Sequence, residues 1–135
     1  MLIYTPKIIF IIYMIKYLLS AIIFVILDGM YINLIKDYFN TQIKSVQGSD
    51  MKINIIATGI VYIFLIFGLN YFIIQKNKNV KDAFILGLVI YAVYEFTNLA
   101  LLKNWKVTTA MVDTLWGGLL FGSTTFFVNK LTHLF

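Results

Sequence analysis

The sequence predicts an all-α fold, an integral membrane four-helix bundle, and three observations carry that expectation. Four apolar runs, Ile8–Ile35, Ile53–Ile74, Ala83–Leu102 and Val107–Leu131, are each long enough for one crossing, since about 20 helical residues span a hydrocarbon core of about 30 Å. Apolar residues make up 61% of the chain and charged residues 13%, where soluble domains carry roughly 45–50% and about 25%. With 135 residues, the chain is a single domain. It is too small to hide that much apolar surface in water, because a soluble domain of this size still exposes about a third of its chain surface. Lipid is the solvent that remains.

The elements follow in order. The first run is too long for one crossing. Thr5-Pro6 is a good helix start, with Thr as N-cap and Pro at the first helical position. Lys16 interrupts the run, so the crossing is expected over residues 17–35. Residues 1–16 then form an N-terminal extension, interfacial or a helical overhang. A cleaved signal peptide is not expected, because no small-residue cleavage site is present and the run continues through Asp28. The other helices are expected at 53–74, 83–102 and 107–131. The polar breaks are Lys36–Lys52, Gln75–Asp82 and Lys103–Lys106. The last is so short that the third and fourth helices must form an antiparallel hairpin.

The net charge of +5 comes from eleven lysines and no arginine. They are scattered singly between apolar runs, which fits contact with the lipid bilayer's anionic head groups and gives no patch for nucleic acid. With four crossings, Lys7, Lys16, Lys76, Lys78, Lys81 and Lys130 share one side, and Lys36, Lys44, Lys52, Lys103 and Lys106 the other. That bias is small under the positive-inside rule. The lysine-dense second loop places both termini in the cytoplasm. The absence of cysteine excludes disulfides and thiolate metal sites. The one histidine, His133, reads as a solvated tail residue.

Three of the six acids, Asp28, Glu95 and Asp113, fall inside helices. An acid at the bilayer centre costs about 2.5–3.5 kcal/mol on insertion scales, so such residues face the bundle interior. Asp28 and Glu95 each stand seven residues before the end of their helices, and Asp113 six residues into the fourth. At 1.5 Å per residue all three lie about 10 Å below one face, in a single expected layer. Tyr91 and Asn98 share the Glu95 face, Trp116 flanks Asp113, and Asn54 and Thr58 approach the same depth. No lysine lies there. Burial and mutual repulsion therefore call for shared protons, water or a bound cation. The structural alternative is interhelical hydrogen bonding, about 0.6 kcal/mol per pair on average. Three acids at one depth without a counter-ion fit a functional cavity better.

Ala110, Thr114, Gly118 and Gly122 recur at spacing four on the fourth helix, a pattern that lets helices approach closely. Packing within the bundle is the expectation, and a homodimer through the fourth helix is the alternative. No phosphate-binding glycine loop, histidine cluster or nucleophile–base pair occurs. Oxidase or desaturase chemistry, which needs several histidines as iron ligands, is excluded. Catalytic residues and cofactor stay unassigned.

Three stretches together resemble a bacterial membrane family of unknown function: Leu27-Asp28 within KYLLSAIIFVILDGMYINLI, YEFTNLALLKNW from Tyr94 to Trp105, and VDTLWGG from Val112 to Gly118. The family is domain of unknown function 2177, four-helix membrane proteins. The likeness runs from Lys16 to the end, with Glu95 where Asp is expected and Tyr31 where Trp is expected. It implies the same fold, no stated activity, and a polar site of Asp28, Glu95, Thr97, Asn98, Asp113 and Trp116.

Three functions remain open. A small transporter or channel-like protein would move a proton, a cation or a lipophilic solute, using the buried acids as the coupling device. A lipid-acting membrane enzyme or accessory subunit would use the acids as hard oxygen ligands for Mg²⁺ or Ca²⁺. A structural component of a larger or viral membrane assembly would use them only as glue.

Overall fold

The computed structural model describes residues 5–133; part of the N-terminal extension, residues 1–4, lies outside them. It is all-helical, with α1 at Pro6–Gln47, α2 at Ile55–Leu69, α3 at Val80–Leu101 and α4 at Val107–Thr132. All four are long and apolar enough to cross a membrane, α2 once its last, widened turn at Asn70–Ile74 is included. Ile56, Phe64 and Val93 are more than half exposed, as a lipid-facing surface requires.

The local chemistry explains most helix ends. Thr5 caps α1 by accepting from Ile8 N, with Pro6 in the first turn. Asn54 caps α2 through Ala57 N at 3.0 Å, and Asn79 caps α3 through Asp82 N at 2.8 Å. Side-chain oxygens at these positions satisfy backbone N–H groups that have no partner within the helix.

α1 does not stop at Ile35. It continues through the charged stretch to Gln47 and ends where Gly48 takes a left-handed φ of 79°, the conformation glycine adopts at least cost. Lys36 and Asp37 do not end it, because charge alone does not break a helix. At 1.5 Å per residue α1 is about 63 Å long, roughly twice the hydrocarbon thickness. Residues 6–16 project beyond the bundle as helix, with none of them buried.

The C-terminal part of α1 also has a task. Gln42 is buried and reaches the α3–α4 loop, where its Nε2 donates to Asn104 O at 2.7 Å. Its Oε1 accepts from Lys106 N at 3.1 Å and from Thr109 Oγ1 at 2.9 Å. Lys106 has no side-chain cap of its own at the start of α4. α1 supplies it.

α3 and α4 form the tightest pair, and α1 packs on α4, whereas α2 leans on α1 and barely touches α3. The α3–α4 pair depends on missing side chains. A Cβ at Gly87 would overlap the Gly117 carbonyl, and one at Gly117 would overlap the Tyr91 ring. A Cβ at Gly118 would come within 2.7 Å of the Phe84 ring, while one at Gly122 would fit at 3.6 Å. Ala110, Gly118 and Gly122 are buried and Thr114 is half-buried. Gly118 and Gly122 are covered by α3 of the same chain. A dimer seam on α4 would have to use another of its faces.

Candidate functional site

The three membrane acids are buried, Glu95 completely, and each is held by aromatic donors. Tyr62 on α2 donates its hydroxyl to Asp28 Oδ2 at 2.5 Å, and Trp116 on α4 donates Nε1–H to Asp28 Oδ1 at 2.9 Å. Tyr31 on α1 donates its hydroxyl to Asp113 Oδ1. Trp105, tucked in from the α3–α4 loop, donates Nε1–H to Glu95 Oε2 at 3.0 Å. Glu95 stands six residues before the end of α3 and Asp113 six residues after the start of α4, so the two carboxyls share a depth in the hairpin. Glu95 Oε1 is buried and has no hydrogen-bond partner among the described residues.

These contacts divide the acids between two levels. Tyr31 meets Asp113, while Asp28, three residues earlier on α1, meets Trp116, three residues later on α4. Three helical residues rise about 4.5 Å. The expected single layer is therefore a ladder, with Trp105, Glu95, Asp113 and Tyr31 nearer the α3–α4 loop and Asp28, Trp116 and Tyr62 deeper. The rings of Tyr31 and Trp116 stack between the levels, 4.4 Å apart and 11° from parallel. Among the described residues no three acids or histidines gather closely enough to share a metal ion. A multidentate Mg²⁺ or Ca²⁺ centre has no such ligand group here.

Of the residues singled out by sequence, Asp28, Glu95, Asp113 and Trp116 come together. Thr97 is exposed, on a different face of α3 from Glu95, and Asn98 is half-buried. Neither donates or accepts a side-chain hydrogen bond to the acids. Asn54 is spent on its helix cap, and Thr58 returns its hydroxyl to Asn54 O at 2.9 Å. Tyr62 was not legible as a site residue, because one of nine tyrosines in an apolar run carries no signal. Trp105 and Tyr31 stood in or beside the motifs, without an assigned partner.

Two adjoining cavities reach the ladder. The larger, about 390 Å³, lies where α2 stands away from α3, with Asp28 on its wall beside Val61, Tyr62, Leu65, Ile90 and Tyr91. The other, about 270 Å³, runs from Asp28 and Asp113 past Trp116 to Lys36 and Met51 at the loop face. Asp28, Ile32, Thr58 and Tyr91 line both. A cleft therefore connects the aqueous end of the bundle, the carboxyl ladder and the lateral gap between α2 and α3.

Comparison with curated proteins and with solved structures gave no match. A family model does match, over residues 13–129, leaving out most of the helical overhang at the start of α1. The chain belongs to the family described as predicted membrane protein, domain of unknown function 2177.

Proposed function

We propose that this multi-pass membrane protein is a small transporter or channel-like protein that moves a proton, a cation or a lipophilic solute past its carboxyl ladder. The observation that carries this is the Glu95–Asp113 pair. Two buried carboxyls at one depth of the α3–α4 hairpin, with no lysine beside them, call for a proton or a small cation. Their other contacts are with neutral donors, Trp105 and Tyr31. Pure interhelical glue would not leave a buried carboxyl oxygen without a hydrogen-bond donor, since that costs about 1–3 kcal/mol or more. The adjoining cleft gives a ligand a route to Asp113.

A lipid-acting enzyme would meet its substrate in the same cleft but would need a nucleophile. The hydroxyls there belong to Thr58 and the tyrosines; Thr58 is bonded to backbone and Tyr62 is held by Asp28. In this proposal both termini lie in the cytoplasm, a choice supported by Lys76, Lys78 and Lys81.

The test is flux. Purified chain in vesicles holding a pH-sensitive dye should dissipate an imposed proton or alkali-cation gradient faster than empty vesicles do. Glu95→Gln preserves shape and removes the charge, so it should bring the rate down to that of empty vesicles. An unchanged rate in a folded Glu95→Gln protein would refute the proposal.

A further inference from the structure

We infer that the gap between α2 and α3 takes a lipophilic organic cation, with its charged centre beside Asp28 and its apolar body against Val61, Leu65 and Ile90. This rests on the function proposed above for the same site and names the ligand class.

Four features point the same way. The first is access. α2 packs on α1 and barely touches α3, and Val61 and Tyr94 at the gap are 54% and 56% exposed. A molecule dissolved in the acyl chains can enter sideways without crossing the head groups. The second is charge. The acids on the walls are Asp28 and Asp113, and the basic residue on them is Lys36. Lys36 stands eight residues from Asp28, about 12 Å along the helix, at the aqueous end. Behind Asp113, Glu95 presents a wholly buried oxygen that no donor satisfies. Among the described residues, the inner end of the cleft carries carboxyls and no basic side chain.

The third is aromatic content. Tyr62, Tyr91 and Tyr94 line the gap, and aromatic faces attract cations, the more so when water is excluded. The fourth is that Asp28 already accepts on both oxygens, from Tyr62 and Trp116. Those two bonds fix the carboxyl on the wall of the gap. A quaternary or delocalised cation, weakly hydrated and wrapped in apolar groups, suits walls of Val61, Leu65 and Ile90 better than a strongly hydrated primary amine. The volume of about 390 Å³ falls within the range of small-molecule pockets, about 300–1,000 Å³.

The probe is tetraphenylphosphonium, with triphenylphosphine oxide as its neutral counterpart, added to the purified full chain in detergent and followed by calorimetry. Saturable binding of the cation is expected, with no measurable binding of the neutral compound. Asp28→Asn should weaken binding tenfold or more. Val61→Trp, which fills the gap and touches no acid, should do the same, and size-exclusion and circular dichroism establish that both variants fold. Absence of saturable binding, equal binding by Asp28→Asn, or equal affinity for the neutral compound would each overturn the inference. Glu95-dependent flux without phosphonium binding would overturn it and leave the proposed function standing. Phosphonium binding without Glu95-dependent flux would do the reverse.

Discussion

Tyr31 and Trp116 stack at 4.4 Å, and each gives its polar hydrogen to a different carboxyl, Tyr31 to Asp113 and Trp116 to Asp28. The two rings tie the levels of the ladder together. Trp116→Phe keeps an aromatic ring and removes the N–H; Tyr31→Phe keeps the ring and removes the hydroxyl. Interhelical hydrogen bonds in membranes contribute about 0.6 kcal/mol on average and up to about 1.7. Each variant should lose a stability in that range, measured by unfolding in detergent. Because the rings touch, the double variant should depart from additivity.

The α3–α4 pair should be intolerant of side chains at its closest approach. Gly117→Val places branched carbons where the Tyr91 ring already sits. Overpacking of this kind costs roughly 1–3 kcal/mol and should lower the detergent melting temperature. Gly59→Ala, inside α2 where a Cβ meets nothing within 4 Å, should not lower it, since alanine is the better helix former.

Gln42 should couple the extended end of α1 to the hairpin loop. Gln42→Ala removes the acceptor of Lys106 N and Thr109 Oγ1 and the donor to Asn104 O. Groups left unsatisfied there cost about 1–3 kcal/mol. Faster hydrogen exchange at Lys106, with α2 unaffected, is the expected sign.

Four crossings put the termini on one side. Because the chain has no cysteine, single cysteines at Lys7, Ser45, Asn79 and His133 can be labelled without background. Lys7, Asn79 and His133 should label from one side and Ser45 from the other; labelling of Lys7 and His133 from opposite sides would contradict four crossings.

Much of this was legible in the sequence, within physical limits. Apolar runs located the helices because lipid demands continuous apolar surface. Counting residues put Asp28, Glu95 and Asp113 near one depth, because rise per residue is constant. Counting does not give helix rotation or axial offset, so the ladder and the outward position of Thr97, next but one to Glu95, were not foreseen. The charges after Ile35 read as a loop, yet Gly29 is the lone glycine between Pro6 and Gln47 and no proline follows Pro6. Nothing there stops a helix. The role of Gln42 was invisible because its partners lie more than 60 residues away.

In the proposed function Glu95 and Asp113 act as one unit that holds and passes a proton or cation. The most direct measurement compares gradient dissipation by Glu95→Gln, Asp113→Asn and the double variant, all reconstituted at equal density. Each single change should abolish protein-dependent flux, and the double change should do no further harm, because residues that act as a unit are non-additive. Single variants that fold and keep wild-type flux would contradict the account and leave the acids as structure alone.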